Sequence, residues 1–280
     1  MTDLSSSALP DYSDPPVIEV ALSVQFDALA GYGSVHLGLL WQKFKNEFPD
    51  VQERPAVAHT TEQFGLRLGP RISMEAKVLS RPPVPRVWFL NSDGSELVQV
   101  QADRLIFNWR KTADNDDYPR YVSVRRKFDL ALNNFRDFLR AEGLPDIQPD
   151  QGEVTYVNHF RSGSMWERHG QAERVVRLWN ASPSDGFLGS PEGVRFAVTY
   201  VITEQESELG RLHVAFEPAY HLADNQPILV MTLVARGAPR GEGIEGIGRF
   251  FDIGHEWIVR GFTSLTTPEM HKVWGRRDGD

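Results

Sequence analysis

Hydrophobic and polar positions alternate with period two over 17–26. Ile18, Val20, Leu22, Val24 and Phe26 stand on one side, Glu19, Ala21, Ser23 and Gln25 on the other. That is the signature of a half-buried strand. The period then changes. Leu37, Leu40, Trp41, Phe44 and Phe48 recur at helical spacing, with Ser34 as the expected N-cap and Pro49 as the stop. The region 51–82 carries two short alternations, Phe64, Leu66, Leu68 and Ile72, Met74, Ala76, read as two irregular strands. A meander follows: strands over 86–90, 97–101 and 105–109, with Asp93-Gly94 in the first turn. A polar loop, 112–117, leads to a helix over 119–142 striped by Tyr121, Phe128, Leu132, Phe135 and Leu139; Gly143 and Pro145 end it.

The second half repeats this order. Val154, Tyr156, Asn158 and Phe160 alternate along a leading strand, a further strand is expected over 175–179, and 182–193 is a Ser/Pro/Gly-rich loop. A second meander spans 194–203, 210–217 and 228–236. The strongest helical stretch is 241–262, where Ile247, Phe251, Ile258 and Phe262 share a face with Gly254 and Gly261. A helical glycine costs about 1 kcal/mol against alanine, so two on one side predict a helix lying close to a flat surface, most simply a sheet. Thr266-Thr-Pro-Glu269 reads as a helix start with proline in the first turn, and a short helix should run through Trp274 to Gly275, leaving a loose tail. Strand runs followed by helices predict an α+β fold, each half a mostly antiparallel sheet covered by a long helix. The expected organisation is a disordered arm (1–16), a first half (17–145) and a similar second half (146–280) packed tightly on the first.

Composition narrows the function. There are 38 acidic residues against 30 Lys and Arg, a net charge of −8, so no general nucleic-acid affinity is expected. The chain has no cysteine, which excludes disulfides, thiolate metal sites and a cysteine nucleophile and fits a reducing cytoplasm. No apolar run reaches the length of a membrane span, and the first 16 residues lack the basic and apolar regions of a signal peptide.

Four groups of residues could carry chemistry. Gly241-Glu-Gly-Ile-Glu-Gly246 matches G-x-G-x-x-G before a helix. However, its glycines lie beyond the preceding strand, two glutamates sit among them, and no strand follows to supply a ribose-binding acid. No dinucleotide or other cofactor is therefore expected. His255 precedes Glu256, but Val259 breaks H-E-x-x-H, so no metal site is expected. A histidine bordering the apolar face, hydrogen-bonded beneath the sheet, is the plainer reading of His255. The run Asn158-His159-Phe160-Arg161 puts polar groups inside a strand, with Asn158 on the aromatic side and His159 opposite, beside Thr155; His159 titrates in the range suited to acid–base work. Arg120, Arg125, Arg126 and Lys127 cluster where a helix dipole disfavours cations, and read as a solvated face offset by Asp114, Asp116 and Asp117. No G-x-S-x-G, P-loop or pair of acids stands out. Asn158, His159, Arg161 and His255 are the candidate ligand-binding residues.

Three stretches together carry a resemblance: PVIEVALSVQF (16–26), EVTYVNHF (153–160) and FDIGHEWIVRGF with LTTPEMHKVWG (251–262, 265–275). In this order they resemble a sporadically distributed family of uncharacterised bacterial proteins. The scattered occurrence implies an accessory gene of toxin–antitoxin or phage-defence type and transfers no catalytic residue. With 7 Trp, 7 Tyr and 16 Phe and no catalytic constellation, the expectation is a non-enzymatic binding or interaction protein, antitoxin-like or defence-linked. The alternative is a small-molecule sensor or enzyme with a cavity between sheet and helices, Asn158 and His159 at its mouth.

Overall fold

The alternating and helical stretches give strands and helices in a computed structural model that describes residues 8–65, 84–114, 116–163, 165–180 and 187–277. In chain order these are β1 (Asp11–Tyr12), β2 (Val17–Phe26), α1 (Ser34–Phe44), β3 (Asp50–Arg54), β4 (Arg86–Leu90), β5 (Glu96–Gln101), β6 (Arg104–Arg110) and α2 (Tyr121–Ala141). Then come β7 (Pro149–Arg161), a 3-10 turn (His169–Arg174), β8 (Phe196–Glu204), β9 (Ser207–Tyr220), β10 (Pro227–Gly237), α3 (Gly243–Leu265), α4 (Pro268–Val273) and β11 (Arg276–Arg277). The fold mixes helix and strand, with one large antiparallel sheet and few helices. Among the described residues nine strands pair in the order β3-β4-β5-β6-β2-β7-β10-β9-β8, and β1 pairs β11 separately. At the centre β2 and β7 run antiparallel, Val20 opposite Tyr156 and Leu22 opposite Val154.

Helices cover one face. α2 packs on β6 and β2, while α3 packs on β7, β10 and β9. The glycines of α3 meet the sheet as their spacing predicts. A Cβ at Gly254 would stand 3.1 Å from the Ala235 Cβ and 3.3 Å from Val154, and one at Gly261 would stand 2.9 Å from Leu212. The sheet makes its own clearance for Phe250. Gly152 and Gly237 are paired across β7 and β10; a Cβ at Gly152 would come 2.9 Å from the Phe250 ring, and one at Gly237 would clash with it. Phe250 is accordingly fully buried. At the far end Trp274, 5% exposed, closes an aromatic cluster with Phe160, Phe262, Tyr12 and His271.

Several elements differ from the sequence expectation. Residues 8–16 of the expected loose arm are tied down: Tyr12 is buried, its hydroxyl lies 2.9 Å from Thr263 Oγ1, and β1 pairs the Arg276–Arg277 tail expected to be loose. An aromatic ring and a ladder partner at the other end of the chain hold what composition reads as unstructured. The cap of α1 is Gly33, not Ser34; the Gly33 N–H donates to His36 Nδ1. The strand read over 175–179 is one isolated bridge, Val176 to Thr266, because Val175 and Arg177 give their backbone bonds to the α3–α4 corner. Among the described residues of the region 51–82 the strand is Asp50–Arg54, and Phe64 lies in none. The alternation at 66–76 lies outside the described residues.

Candidate functional site

Strand alternation sends Tyr156 and Asn158 of β7 toward α3, and His255 of α3 comes down beside them. The Tyr156 hydroxyl is 3.1 Å from His255 Nδ1 and 2.7 Å from the Tyr118 hydroxyl. Tyr121, first residue of α2, stacks flat on the His255 ring at 3.9 Å and 5° and donates its O–H to Asp252 at 2.8 Å. Tyr118, Tyr121, Tyr156 and His255 wall a cavity of about 250 Å³ floored by Leu233, Ile258 and Phe262 and roofed by the strap from Leu9 to Val17. Asn158 lines it too and anchors itself by donating to the Met231 carbonyl at 3.1 Å. Arg120 latches the strap, donating to Asp11 at 2.9 Å and to the Tyr12 carbonyl at 3.0 Å. Its backbone sits at φ +70°, a conformation that costs a non-glycine residue about 1–3 kcal/mol and persists only where the surroundings impose it.

The wall carries no net charge at neutral pH. Burial pushes the His255 imidazole down to about 4, only partly opposed by Asp252, so the ring is neutral. Burial also raises the Tyr118, Tyr121 and Tyr156 hydroxyls. The chain Tyr118–Tyr156–His255 can run in either sense. With His255 accepting at Nδ1, its Nε2 carries the proton and the Tyr118 oxygen is left to accept; reversed, Nδ1 donates and the Tyr118 O–H is left to donate. The cavity can therefore offer either a donor or an acceptor at Tyr118 without creating a charge.

His159 and Arg161 point the other way, into a separate polar groove of about 710 Å³ that the first cavity meets only along Pro15–Val17. Arg161 lies 2.5 Å from Asp114, 3.8 Å from Asp224 and 3.3 Å from His221. Burial and the nearby His221 and Arg161 lower the His159 imidazole. The four candidate residues thus divide: Asn158 and His255 share the cavity, His159 and Arg161 the groove. A period of two makes this division unavoidable for neighbours on one strand.

The other sequence features resolve simply. The glycine-rich 241–246 segment winds into the start of α3, with Glu242 as N-cap, and lines neither the cavity nor the groove. Of the basic cluster, Arg125 pairs with Asp129 and Asp252, Lys127 with Glu96 and Arg120 with Asp11. These are not the acids expected from the sequence. Asp116 instead caps the 112–113 turn and Asp114 holds Arg161. Tyr118 and Tyr121 were invisible as site residues because a loop residue and a helix-stripe aromatic carry no spacing that joins them to His255. Among the described residues no group of three His, Asp or Glu is placed to hold a metal ion, and no helix is long and apolar enough to cross a membrane. Comparison with protein-family models, curated proteins and solved structures finds no match to this chain.

Proposed function

We propose that this chain is a binding protein for a small, uncharged, largely apolar ligand, held between the sheet, α2, α3 and the N-terminal strap. The observation that carries this reading is the cavity of about 250 Å³, apolar on its floor and edged by the neutral Tyr118–Tyr156–His255 chain. Ligand sites typically combine apolar walls with a few placed polar groups. Binding rather than catalysis is favoured because His255, at about 4, is far from the near-neutral value an acid–base group needs. The resemblance noted above supplies a setting, an accessory gene of antitoxin or defence type in the cytoplasm. The strand order supports a further reading, that the two halves repeat one plan. In each, the leading strand pairs the last strand of its meander, β2 with β6 and β7 with β10.

The test uses the uncharged fluorophore N-phenyl-1-naphthylamine. Saturable one-to-one binding is expected for the wild type. Val259→Trp, which fills the cavity from α3, should weaken it at least about tenfold, or 1.4 kcal/mol, with circular dichroism unchanged. Equal binding by a folded Val259→Trp variant, or none by the wild type, refutes the reading.

A further inference from the structure

The face of the sheet away from the helices is crossed by the chain's own segment 57–64, which meets one strand after another. Gln101 of β5 brackets Val57, its Oε1 accepting from the Val57 N–H and its Nε2 donating to the Val57 carbonyl, both at 2.9 Å. Arg104 of β6 donates to the Ala58 carbonyl at 3.1 Å. Gln25 of β2 brackets Thr60 as Gln101 does Val57, at 2.9 and 3.0 Å. Gln151 of β7 accepts from the Glu62 N–H at 2.9 Å, and Arg211 of β9 donates to the Gln63 carbonyl at 2.9 Å. The reading groups are buried: Gln25, Gln101 and Gln151 at 3% exposure, Arg104 and Arg211 at 6%. The segment they read is exposed or half-buried throughout.

One side chain of the segment is anchored strongly. The Glu62 carboxylate accepts from Arg211 at 2.6 Å and lies 2.7 Å from His213 Nε2 and 3.4 Å from Arg236. Burial alone would raise the Glu62 carboxyl, but these hydrogen bonds and the charges of His213 and Arg236 hold it at about 2. Two residues on, the Arg211 guanidinium lies 4.6 Å over the Phe64 ring. Side-chain amides that bracket the main chain recognise an extended peptide whatever its sequence; the cationic socket adds a demand for an acid. One donor is also unused. Arg104 Nε is buried without a partner among the described residues, and Arg104 borders a small void of about 10 Å³ beside Thr60. The resident segment therefore does not use all that the face offers.

We propose that this face is a docking site for an extended acidic peptide segment of a partner protein, and that residues 57–64 occupy it as a built-in stand-in. The partner segment carries a carboxylate where Glu62 sits and an aromatic ring two residues later. It displaces 57–64 and leaves the sheet and the cavity on the opposite face intact.

Two measurements test this. Native-state hydrogen exchange on the wild type should show the hydrogen-bonded amides of Val57, Thr60 and Glu62 exchanging at least about a hundredfold faster than those of β2 and β7, by local opening. Exchange only with global unfolding would make the segment an integral part of the fold and overturn the proposal. The second is anisotropy titration of a labelled synthetic peptide of residues 55–65 against the full chain carrying Glu62→Ala, whose own segment is released. The peptide should bind this variant at least about tenfold tighter than it binds the wild type, whose own segment competes. Replacing its glutamate by alanine, or adding Arg211→Ala to the chain, should remove the gain. No binding to a Glu62→Ala chain that keeps its melting temperature overturns the proposal, as does binding indifferent to the peptide's glutamate.

Discussion

His255 gives the site a measurable pH signature. Its imidazole is held down to about 4 from an ordinary 6.5, chiefly by burial between Tyr121, Tyr156 and the sheet, with Asp252 opposing. The unfolded chain therefore binds a proton between pH 6.5 and 4 that the folded chain does not. Stability is full above 6.5 and falls as the pH drops toward 4. A displacement of this size, at 1.36 kcal/mol per pH unit, amounts to about 3 kcal/mol, or roughly 5–10 °C in melting temperature for a chain of this length. Other groups titrate in the same range, including His159 and His271, whose pKa values are also lowered. The informative quantity is therefore a difference. Glutamine at 255 can still accept from the Tyr156 hydroxyl but does not titrate. Melting temperatures of wild type and His255→Gln, taken from pH 7.5 to 4.0, should diverge below 6.5, the wild type losing about 3 kcal/mol more. Parallel curves would mean that His255 is solvated and titrates alike in the folded and unfolded chain, and a wild type that gained on the variant as the pH fell would mean that the ring is already charged; either result would sink the neutral-wall account of the cavity.

Trp274→Ala should destabilise by about 3–5 kcal/mol, the usual cost of truncating a buried tryptophan, because Trp274 is 5% exposed and packs on Phe160 and Phe262 at 5.1 Å each. A fragment ending at residue 265 should melt far below the full chain, and an unchanged melting temperature would show the α4 segment to be peripheral. Calorimetry should give a single unfolding transition, since the β2–β7 ladder joins both halves in one sheet; two resolved transitions would contradict it.

The sequence by itself determined the long strands and helices and their apolar faces. Period two over 17–26 and 154–160, the two helical stripes and the glycines at 254 and 261 each encode a local geometry that side-chain direction makes legible. It also separated Asn158 from His159. Tertiary structure decided what those faces meet. The pairing of β2 with β7 depends on register between segments far apart in sequence, which periodicity does not encode. So does the gathering of Tyr118, Tyr121, Tyr156 and His255 around one cavity. The N-terminal strap shows the same limit: its composition reads as loose, and only a partner strand at Arg276–Arg277 and a pocket for Tyr12 give it order. A half-buried strand is expected over 17–26, yet Ser23 and Gln25 on its polar side are buried at 3% exposure, Gln25 beneath the segment at 57–64. A glutamine facing water and one facing a peptide backbone make the same pattern in a sequence. The difference lies in what the folded chain lays over it.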